Sequence, residues 1–120
     1  MVLKTDIGEI NISMNALRSV AYKAMISTFG LVDVSVQNLI TRFFGKEEEK
    51  GIKIIEKEDG IQIDLFVILE YGIVLPKVAR NLQENVFHEM KNMIGIEPQS
   101  VNVHILGLSI EWGDQNGTNE

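Results

Sequence analysis

The stretch IKIIEKEDGIQIDLFVILEY, residues 52–71, decides the predicted fold. It contains two runs rich in β-branched and aromatic residues, 52–56 and 61–71, which are joined by the tetrapeptide Lys-Glu-Asp-Gly. An Asp-Gly pair is a strong marker of a β-hairpin, because both residues accept a positive φ. We therefore predict two antiparallel strands with a tight turn at Gly60.

The second run of this hairpin has two unequal faces. Because alternate residues of a strand point to opposite sides, one face carries five large apolar side chains: Ile61, Ile63, Leu65, Val67 and Leu69. The opposite face carries Gln62, Asp64 and Glu70, with Phe66 and Ile68 between them. We expect the first face to form the core. The second face is mostly polar, and we expect a short helix or a partner to cover its apolar part.

The elements before the hairpin are predicted from the periodicity of apolar residues and from residues that start or stop helices. Residues 5–12 alternate weakly and predict a short strand. Ser13 or Asn15 then caps a helix whose apolar residues recur at helical spacing as far as Thr28, and Gly30 is placed to end it. Residues 31–36 predict a second strand, and residues 36–44 a short amphipathic helix closed by Gly45. The charged residues 46–50 predict a solvated loop.

A long helix and a last strand follow the hairpin. Pro76 suits the first turn of a helix, and Gly95 with Pro98 is a normal helix stop. The apolar stripe between them has steps of three and four: Leu75, Ala79, Leu82, Val86, Met90 and Met93. Residues 100–110 form the last strand. The apolar positions of this strand change face beside Gly107, which predicts a bulge or bend.

These elements predict an α+β fold. The order is β-α-β-(short α)-β-β-α-β, with about four to five strands in a small mixed sheet and two main helices packed on one face. We expect one domain over residues 1–112 and a flexible polar tail over residues 113–120.

The composition excludes several classes of function. Of the 120 residues, 45% are hydrophobic and 23% are charged, the net charge is −6, and cysteine is absent. The lack of cysteine excludes disulfides, thiolate metal sites and cysteine nucleophiles, and the acidic balance argues against nucleic acid as a partner. The first residues lack the pattern of a signal peptide, and no apolar run approaches the roughly 20 residues of a membrane span. We expect a cytoplasmic protein, in reach of the membrane only through a partner.

The segment FHEMKN, residues 87–92, is one residue short of the helical zinc motif His-Glu-x-x-His. The second histidine position is occupied by Asn92, so Glu84 and His88 form at most a two-ligand fragment. The remaining histidine, His104, alternates with apolar strand residues and is expected to point away from the helices. We therefore predict no metal site, no cofactor and no catalytic residues, and interpret this helix face as solvated.

Three sets of residues are candidates for binding a partner. The first is Phe43 and Phe44, which either pack into the sheet or form an exposed patch. The second is an apolar strip on the open sheet face, of a kind that commonly marks an oligomer interface: Phe66, Ile68, Leu106 and Leu108. The third is the polar stripe of the long helix: Arg80, Asn81, Glu84, Asn85 and His88.

Three parts of the sequence together resemble a known family. They are GEINIS (8–13) before an alanine-rich helix, LEYG (69–72) with PKVARNLQENV (76–86), and GI (95–96) with SVNVHILGL (100–108). In this order and spacing they resemble the alkaline shock protein family, the envelope stress response proteins of Gram-positive type. The resemblance covers residues 5–112, as in a short, minimal-domain member.

The resemblance implies a small, cytoplasmic, non-enzymatic protein that self-associates. In some members it also implies a link to cell-envelope stress and a separate protein that anchors them near the membrane. The leading hypothesis is therefore a scaffold or adaptor that binds itself or another protein near the envelope. One alternative is an accessory subunit that binds a metabolic enzyme or a small ligand. A weaker one is a metal enzyme that uses Glu84, His88 and His104.

Overall fold

The computed structural model describes residues 1–28 and 51–110 of the chain. In this part the elements are β1 (Val2–Thr5), β2 (Gly8–Asn11), α1 (Met14–Ile26), β3 (Ile52–Lys57), β4 (Gly60–Glu70), α2 (Leu75–Ile94) and β5 (Ser100–Ser109). β1 and β2 form a two-stranded antiparallel sheet, and the other strands form a mixed sheet in the order β3-β4-β5. The predicted α+β class is confirmed. The predicted strand 31–36, the short helix 36–44, the loop 46–50 and the tail 113–120 lie outside the described residues.

The predicted central hairpin is confirmed. β3 and β4 pair antiparallel from Ile52 opposite Leu65 to Lys57 opposite Gly60, which leaves two residues in the turn. Gly60 has a φ of 149°, a conformation that residues with a side chain rarely adopt. The turn glycine therefore closes the hairpin in the register that keeps the aliphatic residues of β4 on one face.

The core lies between that face of β4 and the two helices. Its β4 members are the five aliphatic residues of the predicted face. From α1 it takes Leu17, Ala21, Ala24 and Met25, and from α2 it takes Val78, Leu82, Val86 and Met90. Burial of each Leu, Ile or Val side chain contributes about 1.5–3 kcal/mol, so this layer is the main source of stability in the described fold.

α1 begins as predicted and ends earlier than predicted. The Ser13 Oγ accepts a hydrogen bond from the backbone N–H of Ala16 at 3.1 Å, as an N-cap residue does. The helix ends at Ile26 and not near Gly30, so the predicted stop was wrong. The Ser27 hydroxyl donates to the Lys23 carbonyl at 3.0 Å, which satisfies a terminal helix carbonyl without a glycine.

The N-terminal segment forms a hairpin where one strand was predicted. β1 pairs with β2 from Val2 opposite Asn11 to Thr5 opposite Gly8. The Thr5 hydroxyl donates to the Gly8 carbonyl at 3.2 Å and accepts from the Ile7 N–H at 3.3 Å, which stabilises the turn. The prediction missed β1 because its side chains are mostly exposed and show no alternation of apolar and polar residues.

α2 confirms the predicted helix, and its buried line differs from the prediction at both ends. At the start of the helix Val78 is buried, whereas Ala79, which was predicted for this line, is only half-buried. The buried residues recur at steps of four from Val78 to Met90. Met93, which was predicted to continue this line, is 64% exposed. At about 100° per residue Met93 still points to the buried side of the helix, so its exposure follows from its place in the last turn, beyond the last core residue Met90. The helix ends at Ile94 and is capped by Gly95, whose φ is 84°.

β5 runs parallel to β4 and contains the predicted bulge. Val67 pairs with Ile105 and Ile68 pairs with Gly107, so that Leu106 is the extra residue. Beyond the bulge Leu108 lies opposite Leu69. Since directly paired strand residues share a face, Leu108 lies on the helix-bearing face of the sheet.

Candidate functional site

The polar stripe of α2 is on the surface, as the sequence predicts. Arg80, Asn81, Glu84, Asn85 and His88 are all exposed. Asn85 also has a structural contact, because its Nδ2 donates to the Thr28 Oγ1 at 2.8 Å and ties α2 to the end of α1. The stripe therefore remains a candidate surface, with one of its five residues partly engaged in holding the helices together.

A groove of about 430 Å³ lies beside this stripe. Gln83, Glu84, Phe87 and His88 of α2 form one wall, and residues 98–101, which lead into β5, form the other. The Gln83 Nε2 donates to the Val101 carbonyl at 2.9 Å and joins the two walls. Two of the predicted residues, Glu84 and His88, are thus brought together at a recess, while Arg80, Asn81 and Asn85 lie outside its lining.

The lining of the groove combines an apolar base with polar groups. Phe87 packs against the core, and the His88 ring meets it edge to face, with ring centroids 5.8 Å apart. Pro98 is buried on the opposite wall. Glu84 and His88 supply a carboxylate and an imidazole above this base. Such a recess can hold an apolar group that also carries a hydrogen-bond donor or a positive charge.

A second cluster occupies the sheet face opposite the helices. The Asp64 side chain is largely buried there, and its carboxylate is bound by three neighbours. It accepts hydrogen bonds from Gln62 Nε2 at 3.1 Å and Asn102 Nδ2 at 3.0 Å, and the His104 Nε2 lies 3.1 Å from its Oδ1. The His104 ring also stacks on Phe66, with centroids 4.8 Å apart and planes 16° apart.

The environment of Asp64 favours its ionised form. Burial, the largest influence, raises the pKa of the Asp64 carboxyl, but hydrogen bonds from His104, Asn102 and Gln62 and the charge of His104 lower it. The balance holds the pKa of Asp64 below its usual value. The carboxylate is an acceptor that binds β4 to β5, since two of its three partners lie on β5.

Sequence reasoning missed this cluster, although the signal was present. Gln62 and Asp64 alternate on β4, as Asn102 and His104 do on β5, but the two pairs are about 40 residues apart. The parallel register, in which Asp64 lies opposite Asn102, brings them together. The prediction that His104 points away from the helices is confirmed, since it lies on the Asp64 face.

The histidines are therefore on different surfaces. His88 lines the groove on α2, and His104 lies on the sheet face that the helices do not cover. Within residues 1–28 and 51–110, no three His, Asp or Glu side chains are grouped so that they could hold a metal ion.

The predicted apolar strip is divided by the structure. Phe66 and Ile68 are buried and do not belong to the core cluster between sheet and helices. Leu108, which was predicted to lie beside them, is on the helix-bearing face, so this grouping was wrong. The physical reason is the bulge, which adds Leu106 and inverts the alternation. Phe43 and Phe44 lie outside the described residues, and partner binding by any of these side chains stays a prediction.

The fold and these surfaces define a class of protein: a small α+β domain with a helical layer over a mixed sheet and a groove beside the middle of the long helix. The chain belongs to the family named after alkaline shock protein 23, whose function is cell envelope-related, and the match covers residues 2–110. The resemblance read from the sequence is thereby confirmed.

Relatives of similar length occur in Gram-positive bacteria. The chain is 30% identical over 113 residues to YloU of Bacillus subtilis (strain 168). The aligned region covers 90% of this chain and 94% of YloU. It is 27% identical over 110 residues to YqhY of the same organism. Here the aligned region covers 89% of this chain and 82% of YqhY. Both relatives are uncharacterised proteins.

No solved structure matches the chain. Among the helices in the described residues, none combines the length and the apolar character that crossing a membrane requires.

Proposed function

We propose that this protein is a non-catalytic adaptor that self-associates and binds other proteins in a cell envelope-related process. The family assignment supplies the cellular context. The observation that carries the proposal is the groove beside the polar stripe of α2, where Glu84 and His88 stand exposed above Phe87. An apolar base with a polar rim is the usual anatomy of a site that receives one anchoring side chain of a partner.

The second cluster supports a structural role for the ionisable groups on the sheet. The Asp64 carboxylate is bound by Gln62, Asn102 and His104 and has a lowered pKa. A general acid or base at neutral pH needs a pKa near that pH. A carboxylate with a lowered pKa and three partners serves better as a fixed acceptor that holds two strands together.

The proposal places the protein at the membrane through a partner, because the family is cell envelope-related. Cell fractionation tests this placement. We expect the protein in the membrane fraction of native cells, and we expect removal of the groove contacts to release it. If the protein stays in the membrane fraction when its groove is altered, the groove is not the means of attachment.

The adaptor function is tested by purification of the tagged protein from native cells under mild conditions. A partner that co-purifies with the wild type should be lost with Glu84→Lys, because the substitution reverses the charge at the groove without touching the core. The matched control is Glu9→Lys, which makes the same charge change at an exposed position of β2. Equal recovery of the partner with wild type and Glu84→Lys would show that binding does not use the groove.

A small ligand is the second candidate, and the size of the groove favours it. A volume of about 430 Å³ lies within the roughly 300–1,000 Å³ of small-molecule pockets. In that function the protein is an accessory subunit that presents or senses a metabolite. A panel of small amines and carboxylates should then contain a compound that raises the melting temperature of the wild type and not of His88→Ala. A panel without effect on the wild type argues for the protein partner.

A further inference from the structure

The two outer strands of the three-stranded sheet differ in their charge. Within the described residues, β3 and β5 are its edge strands. β3 has six residues, of which Lys53, Glu56 and Lys57 are charged. β5 has ten residues, and its one ionisable side chain is His104. Proteins protect sheet edges from pairing with other chains by short strands and charged residues. β3 has both of these features, whereas β5 has neither.

The backbone of β5 directs hydrogen-bonding groups away from the sheet. The Val101 carbonyl points outward, because it accepts its hydrogen bond from the Gln83 side chain at 2.9 Å. The N–H and C=O of one strand residue point to the same edge, and this direction alternates along the strand. Val103 and Ile105 therefore also direct their groups outward. Of the residues in the described ranges, Gln83 is the one whose side chain caps this edge.

Exposed apolar side chains are concentrated at the same edge. Ile105 is 37% exposed and Leu108 is 40% exposed, and Ile110, directly after the strand, is also exposed. With respect to residues 1–28 and 51–110, the strand thus offers both unpaired backbone groups and apolar surface from Val103 to its end.

We infer that the outer edge of β5, from Val103 onward, pairs antiparallel with the same edge of a second copy of this chain. A twofold axis then joins two three-stranded sheets into one six-stranded sheet. A second copy fits because the edge is apolar and has no Lys, Arg, Asp or Glu, so antiparallel pairing with itself sets no fixed like charges opposite one another. The inference rests on the self-association in the proposed function and names its surface.

Amide hydrogen exchange at two protein concentrations tests this pairing directly. The Val103 and Ile105 N–H groups should exchange roughly tenfold more slowly at a concentration where the protein is dimeric than at one where it is monomeric. The Val101 N–H is the internal reference, because it lies before the proposed paired segment, which begins at Val103. A dimer in which the Val103 and Ile105 amides exchange at the monomer rate would overturn the inference.

Two substitutions act on the edge in different ways. Val103→Pro removes an outward N–H and leaves the hydrogen bonds to β4 in place. Leu108→Lys puts a charge on the exposed apolar surface. The control is Ile26→Lys on α1, where the replaced side chain is also 40% exposed and the charge change is the same. Thermal melting establishes that each variant is folded.

Sedimentation equilibrium should show a dissociation constant at least roughly tenfold higher for Val103→Pro and Leu108→Lys and an unchanged constant for Ile26→Lys. If both β5 variants dimerise as the wild type does, the β5 edge is not the dimer interface, and the protein self-associates through another surface. If the wild type is monomeric at every concentration, self-association itself is wrong, and the adaptor function then depends on the co-purification with the groove variant alone.

Discussion

The two faces of β4 are both buried, but they are built from different chemistry. The face toward the helices is wholly aliphatic, from Ile61 to Leu69. The opposite face buries Asp64 among amide and imidazole groups, beside Phe66. An aliphatic face is stabilised by contact with any well-shaped apolar partner, whereas a buried carboxylate is stable only with donors at particular positions. The first face therefore provides stability, and the second specifies how β5 lies against β4.

The largest effect should come from the aliphatic face. Leu65→Ala removes a fully buried side chain between sheet and helices and should lower the free energy of unfolding by about 2–5 kcal/mol. Urea denaturation measures this change. Leu108→Ala is the matched control, since the same atoms are removed from a 40% exposed side chain and the loss should be below about 1 kcal/mol. Equal losses would mean that Leu108 belongs to the core.

The next effect concerns the carboxylate. Asp64→Ala leaves the donors of Gln62, Asn102 and His104 without their acceptor and should cost about 1–3 kcal/mol. The amide spectra of β5 should change more than those of β3, because two of these donors lie on β5. If Asp64→Ala left the free energy of unfolding unchanged, the polar face would contribute nothing to strand pairing.

The two faces should also differ in their response to pH. The pKa of Asp64 is lowered by folding, so the unfolded state binds more protons in acid, and the contribution of Asp64 to stability is present above about pH 4. It is lost as the pH falls through the folded pKa. Urea denaturation from pH 6 to pH 2 should show this loss in the wild type and less of it in Asp64→Asn. Leu65→Ala should keep the pH dependence of the wild type. If the free energy of unfolding fell with pH equally in Asp64→Asn and in the wild type, the loss of stability in acid would not come from Asp64.

The smallest effect should come from one of the outer donors. Gln62→Ala removes a single, partly buried hydrogen bond to Asp64 and should cost about 0.5–1.5 kcal/mol. The same denaturation experiment measures it. A cost larger than that of Asp64→Ala would reverse the order and show that Gln62 stabilises the strand through other contacts.

Much of the described fold was predictable because it depends on local rules. The Asp-Gly turn, the alternation on β4, the Ser13 cap and the Gly95 stop each act over a few residues. The errors have the same origin. Met93 was included in the buried line because its angular position on the helix is that of a core residue, and a local pattern does not show where the core ends along the helix. The early end of α1 depends on hydroxyl groups that replace a glycine.

The candidate sites also differ in how far local sequence patterns predict them. The exposed stripe of α2 could be read from helical periodicity, but the groove could not, because its second wall is the segment 98–101 that follows the helix. The pairing of Asp64 with His104 needs the parallel register of β4 and β5. No spacing within either strand indicates that register.

The sequence by itself determined the α+β class, the central hairpin, the long helix and the bulge beside Gly107, because each follows from periodicity and from residues with special backbone preferences. Only the tertiary structure decided that Asp64 meets Asn102 and His104, that Leu108 lies on the helix-bearing face, and that the β5 edge presents outward backbone groups. These features depend on which strands are neighbours and in what register. Contacts between distant segments set that register, and no local pattern contains it.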